Sequence, residues 1–516
     1  MNSATAQAAL EDHLASIITP DAIIDQSTLE HRARSAATGF EAMGLGEGST
    51  IAILMRNDIP FIEVTIAAQK IGAFAVPINW HLTANEIHYV LDDCKPDLIV
   101  AQADLLNIPG LELPKDLKVI VTATPPSTAA AFRLDSAICG VREGMTDWDR
   151  FVASHQPRRK PDARPRGAII YTSGTTGHPK GVKRVPMDKD LLARNVQVFC
   201  DTYGLATDVR TLLVTPLYHA SPGGFARYAA TKGELLVLAP RFEPEEFLAL
   251  VEKYQINTIT AVPTMFIKLL KLPKEVRERY DVSSLKWVSH TAAACPVEVK
   301  QAMIEWWGPI LHEVYGGTEV GIAMHCSSEE WLTHPGTVGR VVDGAEIRIL
   351  GDDGREVPQG REGEIYVRNP NYADFTYINK PEARAEVEKD GYISIGDVGW
   401  LDKDGYLFLG DRKRDMIIFG GTNIYPAEIE SVLVQHPDVA DCAVIGLPDA
   451  EFGEVVAAYI QPAAGAKPTE QGLIEFAEKN LARYKIPRRF AFVDKLPREE
   501  SGKLMKRKLR DAFLAG

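Results

Sequence analysis

Tyr171 to Val182 reads YTSGTTGHPKGV and directly follows the strand-like run RGAII. Four hydroxyls (Thr172, Ser173, Thr175 and Thr176) are interleaved with Gly174 and Gly177, whose missing side chains let backbone amides come close to an anion. Lys180 adds a cation, so the segment has the composition of a phosphate cradle at the end of a strand. It is not a Walker loop, because Gly181 follows Lys180 where Ser or Thr would stand, and the glycine spacing differs.

Outward from this loop, strand-like and helix-like segments alternate. Toward the N-terminus, Ser49–Leu54 (STIAIL) reads as a buried strand, and Asp58 can cap a helix with Pro60 in its first turn, running to about Ile71. Phe74–Ile78 and DLIVAQ read as strands flanking the helical ANEIHYVLDD. Toward the C-terminus, Thr211–Thr215, Glu234–Leu238 and Thr258–Val262 keep the rhythm, which predicts parallel βαβ units. The proline-bearing stretch from about Thr124 to Arg166 has little periodicity and reads as irregular surface chain. Short strands with DDG and KDG turns from Gly336 to about Gly410 predict a small β-rich subdomain. The expectation is an α/β protein with a large N-terminal domain, residues 1–411, and a small mobile α+β C-terminal domain, residues 412–516.

A chain of 516 residues with 45% apolar composition can bury several cores. Its net charge of −13 argues against a nucleic-acid partner. No apolar run is long enough to span a membrane, and the first residues lack the basic-then-apolar pattern of a secretory signal. Six scattered cysteines without a CxxC pair fit reduced, buried thiols. These features predict a cytoplasmic protein and leave a homodimer open.

Three further motifs carry chemistry. In YGGTEVG, Tyr315–Gly321, Glu319 is a carboxylate in a glycine-flanked loop, suited to hold Mg²⁺ beside phosphates. In IGDVGWLDKDGYLFLGDRKRD, Asp397 follows a glycine and Arg412 follows the strand-like YLFLG; a carboxylate there can accept two hydrogen bonds from vicinal hydroxyls. In LPREESGKLMKRKLR, Lys503 follows Ser-Gly and is presented in a loop. Together with TSGTTG-x-PKGV, these motifs resemble, in order and over Leu29 to Leu509, the adenylate-forming (ANL) superfamily of acyl-CoA synthetases, luciferases and peptide-synthetase adenylation domains.

The resemblance implies an acyl-CoA synthetase of the fatty-acid–CoA ligase type, using ATP, Mg²⁺ and coenzyme A. In that reading Tyr315 stacks on adenine, Thr318 contacts the α-phosphate, Glu319 serves the metal, and Asp397 with Arg412 holds the ribose. Arg414 is the interdomain hinge, Gly420 and Gly421 line the path of the thiol arm, and Lys503 offsets charge between the acid and the α-phosphate. The chain departs from many relatives in carrying Asp411 before Arg412, and Ala294 where a proline often stands. By the same resemblance the acid lies among LYHASPGG, HTAAA and the YGG turn, naming His219, Gly223, Gly224, Ala292, Ala293, Gly316 and Gly317. Their small size suggests a roomy apolar channel for a medium- or long-chain fatty acid or a bulky steroid-type acid, with aryl acids as the rival. The stretch Leu217–Ala230 contains no acidic residue for an amino-acid amine, which disfavours a peptide-synthetase role. A catalytically silent nucleotide-binding relative is disfavoured because Glu319 and Lys503 are both present. Acetylation of Lys503 removes its charge and is expected to block acyl-adenylate formation, read as loss of ATP–pyrophosphate exchange; full exchange by the acetylated protein would remove Lys503 from the chemistry.

Overall fold

Ile51 to Leu54 are four consecutive apolar residues with no accessible surface, the signature of a strand covered on both faces. In the structure, a computed structural model, they lie in the strand Thr50–Leu54. Residues 16–172, 179–412, 415, 417–419, 422–424, 426–449, 452–479, 481, 483–498 and 504–515 are described. The strand pairs in parallel with Phe74–Pro77 and Leu98–Gln102, and a fourth and fifth strand extend the same sheet through Lys118–Thr122 to Thr146–Asp147. The crossovers are helices Ile59–Lys70 and Ala84–Cys94, as the alternation predicts. Thr83 and Glu86 close a capping box at the start of the second.

A second sheet runs through the centre of the molecule. Strands Ser16–Ile18, Leu235–Leu238, Arg210–Leu213, Thr258–Ala261, Trp287–His290 and Leu311–Gly317 form its parallel part. From Gly321–Cys326 onward the pairing is antiparallel, through Thr337–Val341, Leu407–Arg412, Tyr392–Leu401, Gly363–Arg368 and Glu346–Leu350. The β-rich segment expected at Gly336–Gly410 is thus hydrogen-bonded onto the parallel sheet. A short antiparallel sheet of Ile170–Thr172, Lys180–Arg184 and Phe375–Tyr377 carries both ends of the glycine-rich loop. The last sheet, Thr422–Ile424, Ile417–Phe419, Gly453–Pro462 and Val439–Asp449 with Arg489–Phe492, has its own apolar core. The chain passes from the central sheet to this one between Arg412 and Ile417.

The stretch read as irregular, Thr124 to Arg166, instead contains helices Pro126–Phe132 and Trp148–Ala153 and the edge strand Thr146–Asp147. Neither helix reaches two full turns, so the apolar spacing of Trp148, Phe151 and Val152 in the second is too short to read as a period. Trp148 is fully buried and its indole N–H donates to Glu63 at 2.6 Å, while Arg32 pairs with the same carboxylate.

Asp58 does cap helix Ile59–Lys70, accepting from the Ile59 amide at 2.8 Å. It is buried, and desolvation first, with the nearby Glu63 charge, outweighs the amide bond and pushes its carboxyl up from 3.8 to about 7. A folded-state value above the unfolded one means the folded protein binds the extra proton between those values, so this group's stabilisation is lost as pH rises through the window. Asp58→Asn keeps a capping oxygen and removes the titration. Its stability relative to the parent is expected to grow between pH 4 and pH 7, by at most about 4 kcal/mol, in urea unfolding. A pH-independent difference would show that Asp58 is ionised throughout.

Candidate active site

The strand after the glycine-rich loop alternates Lys180, Val182 and Arg184 with Gly181 and Lys183. Lys180 is 5% exposed and its Nζ stands 5.1 Å from the centre of the Tyr377 ring. Arg184 reaches the YGGTEVG turn: its guanidinium donates to the carbonyl of Thr318 at 2.7 Å and of Glu319 at 2.8 Å, and also to the Ala373 carbonyl. Burial holds this guanidinium below its ordinary value, yet it stays a cation that fixes two successive peptide carbonyls.

Those bonds aim Glu319 at the loop. Its Oε1 accepts from the Thr172 hydroxyl at 3.2 Å and from the Tyr377 hydroxyl at 3.1 Å. Burial, then the Glu319 charge, raises the Tyr377 phenol, so it remains a donor. Oε2 has no hydrogen bond among the described residues. A single fixed carboxylate with one oxygen left for a cation matches how Mg²⁺ is held beside substrate phosphates, so the donor set fits that ion.

Across the turn, the Tyr315 hydroxyl donates to Asp397 Oδ2 at 2.9 Å. Both residues sit at register shifts, one between Tyr315 and Gly316 and the other between Asp397 and Gly399. Such bulges redirect side chains out of a regular ladder. Asp397 is also the cross-strand partner of Arg412, so the two expected ribose residues face each other on neighbouring strands. Thr318 joins this group through its backbone. Ser173, Gly174, Thr175, Thr176, Gly177, Arg414, Gly420, Gly421 and Lys503 lie outside the described residues.

The expected acid pocket is differently built from its sequence reading. A Cβ on Gly223 would stand 2.8 Å from the Leu217 carbonyl oxygen, and one on Gly224 would stand 3.2 Å from the Phe199 ring. On Gly316 it would meet the Gly321 carbonyl oxygen at 2.0 Å, and on Gly317 the Ile395 side chain at 3.0 Å. The space these glycines leave is filled by neighbours, by backbone at Gly223 and Gly316 and by side chains at Gly224 and Gly317. Ala292 adopts φ +75, a left-handed conformation that costs a residue with a Cβ roughly 1 kcal/mol. Ala293 beside it is half-buried. His219 precedes helix Ala220–Lys232 without capping it through its side chain, and its ring packs 4.3 Å from Tyr218.

Arg184 and Tyr377 were missed in the sequence. Tyr377 is brought in by the pairing of Phe375–Tyr377 with Lys180–Arg184, a contact that no local motif announces. Arg184 could have been found, because it is two alternations past Lys180 on one face of a strand.

The chain is similar to known proteins over nearly its whole length. Residues 8–374 match the family described as AMP-binding enzyme, and residues 428–503 match its C-terminal domain. Over 98% of this chain and 96% of the relative, the sequence is 31% identical to an indoleacetate–CoA ligase of Aromatoleum aromaticum. It is 30% identical to a long-chain-fatty-acid–CoA ligase of Mycobacterium tuberculosis, covering 94% and 92%. A 3-(7a-methyl-1,5-dioxo-octahydroinden-4-yl)propanoyl:CoA ligase of Rhodococcus jostii is 31% identical, covering 99% and 98%. Among solved structures, that of the anthranilate–CoA ligase AuaEII with anthranoyl-AMP superposes with a TM-score of 0.82 at 25% identity, covering 97% of this chain and 94% of that one.

Removing the Arg184 clasp should release the turn that aims Glu319. Arg184→Met is expected to raise KM for MgATP by about tenfold or more, with KM for the acid changed far less. Arg184→Lys should recover part of the loss, since one cation can still reach one carbonyl. Steady-state pyrophosphate release checks this; equal effects on both KM values would mark Arg184 as a packing residue.

Proposed function

We propose, from the premise that this chain belongs to the AMP-binding enzyme family and is an AMP-forming acid–thiol ligase, that it activates a hydrophobic carboxylic acid and passes the acyl group to coenzyme A. The acid is a medium- or long-chain fatty acid or a bulky steroid-type acid. Aryl acids are the second reading, favoured by the indoleacetate and anthranilate ligases among the similar proteins. The observation that carries the ligase chemistry is the convergence of Thr172, Tyr377 and the Arg184-bound turn on Glu319.

A carboxylate attacking ATP brings two anions together, and catalysis has to offset that repulsion where charge develops. Lys180 and Lys503 supply cations from the chain, and a bound Mg²⁺, held by Glu319, would neutralise phosphate charge. The Thr172 hydroxyl and the loop amides orient the phosphates, while Asp397 accepts from the ribose hydroxyls with Arg412 opposite. Tyr315 keeps Asp397 turned toward that position through its hydroxyl. The acyl-AMP then carries a good leaving group, and the thiol of coenzyme A attacks the acyl carbon. The two half-reactions need different groups at one place, which a C-terminal domain turning about Arg414 provides by exchanging Lys503 for the Gly420–Gly421 segment. Among the described residues no helix is long and apolar enough to cross a membrane.

ATP-dependent pyrophosphate release over fatty, steroid-type and aryl acids, with and without coenzyme A, tests the proposal. One acid class is expected to give release, with coenzyme A accelerating turnover and the acyl-CoA accumulating in equal amount. Release that coenzyme A leaves unchanged, with no thioester formed, would overturn the assignment of the acceptor.

A further inference from the structure

Helix Pro263–Leu270 is anchored in the core of the central sheet, where Met265, Phe266 and Leu269 are buried, and it packs on helices Pro244–Tyr254 and Val297–Trp307. Lys271 ends this helix, at the place where the dipole of a last turn favours a cation. The residue is exposed, and its side chain crosses to the last sheet of the chain. There its ammonium donates to the carbonyls of Val439 and Ala440, both at 2.8 Å.

These two carbonyls lie at a defect in the C-terminal sheet. In the ladder between Val439–Asp449 and Gly453–Pro462, Val439 faces Pro462 and Asp441 faces Gln461, so the register skips Ala440. Pro462 has no N–H to donate, and a residue skipped by the ladder has no cross-strand donor. Lys271 takes both of these acceptors with two of its three donors. Asp441, next in the chain, is gripped by Arg498, which donates to its two carboxylate oxygens at 2.6 and 2.9 Å and to the Cys442 carbonyl at 3.2 Å. Arg498 also bridges to Leu504, and the Met505 amide donates to the Pro497 carbonyl at 2.9 Å. The residues that flank the segment of Lys503 are therefore tied to Asp441, one residue from where Lys271 binds.

We infer that Lys271 is a positioning residue, whose bonds to Val439 and Ala440 hold the C-terminal domain in this orientation against the central sheet and so set the balance between the two half-reactions. This rests on the proposed turning of the C-terminal domain and deepens it, because Lys271 must release both carbonyls before the other half-reaction can proceed. Charge-assisted bonds to two carbonyls bias such a balance, and an exposed side chain can let them go without disturbing either core.

The test separates the half-reactions in the full-length protein, using an acid that the parent activates. Adenylation is read as ATP–pyrophosphate exchange without coenzyme A, and thiolation as single-turnover thioester formation when coenzyme A is added to the preformed acyl-adenylate. Lys271→Met is expected to change the ratio of the two rates by about fivefold or more, and the half-reaction that slows is the one this orientation serves. Lys271→Arg should recover part of the change. Lys274→Met, which removes an exposed lysine paired with Glu278 on the same surface, should leave the ratio as it is. Small-angle X-ray scattering of the protein without substrates gives a second readout, with a larger radius of gyration expected for Lys271→Met than for the parent. A ratio unchanged by Lys271→Met, both rates falling by one factor included, overturns the inference, as does a scattering curve identical to the parent's. If no acid gives pyrophosphate, the ligase reading itself fails, and the scattering alone decides whether Lys271 holds the domain.

Discussion

The clasp of Arg184 on the carbonyls of Thr318, Glu319 and Ala373 ties three distant parts of the chain together. A turn rich in glycine has little preference for any one conformation, so a carboxylate carried on it would sample many positions. The guanidinium removes that freedom by holding two successive peptides, and it comes from the strand that also carries Lys180. Thr172 and Tyr377 then meet Glu319 from either side of the same three-stranded sheet. The position of Glu319 is therefore set by the strand that leaves the phosphate loop, and the loop and its acid stay in register.

A second layer of fixing lies at the bulges. Tyr315 and Asp397 come from strands separated in the central sheet by Gly321–Cys326, Thr337–Val341 and Leu407–Arg412, yet their hydroxyl and carboxylate meet. Regular ladders would keep side chains perpendicular to the sheet, and the two register shifts turn them toward each other. Asp397 and Arg412 pair across neighbouring strands, so the backbone that carries both is fixed by the sheet.

The fold was legible where apolar runs and caps coincide. Thr50–Leu54, the Asp58-capped helix and helix Ala84–Cys94 stand where the pattern places them, because each is fixed by local chemistry. The helix around Trp148 was not legible, since its six residues give one short apolar face, Trp148, Phe151 and Val152, with no repeat to announce a period. The same division holds in the site. Glu319 and Asp397 stand out because glycines neighbour each carboxylate in the sequence, whereas Tyr377 enters through non-local strand pairing. The glycines expected around the acid are ambiguous for a physical reason: a missing side chain marks either space or close approach, and only the neighbours, here Leu217, Phe199, Gly321 and Ile395, distinguish the two.

Glu319, held by Arg184, Thr172 and Tyr377, is proposed as the point at which a divalent cation meets ATP. Electron paramagnetic resonance of Mn²⁺ titrated into the full-length protein with ATP, for the parent and for Glu319→Gln, tests this directly. A protein-bound Mn²⁺ signal that requires ATP is expected in the parent, with affinity weakened by about tenfold or more in Glu319→Gln with ATP still bound. Equal Mn²⁺ affinity in the two proteins would contradict it.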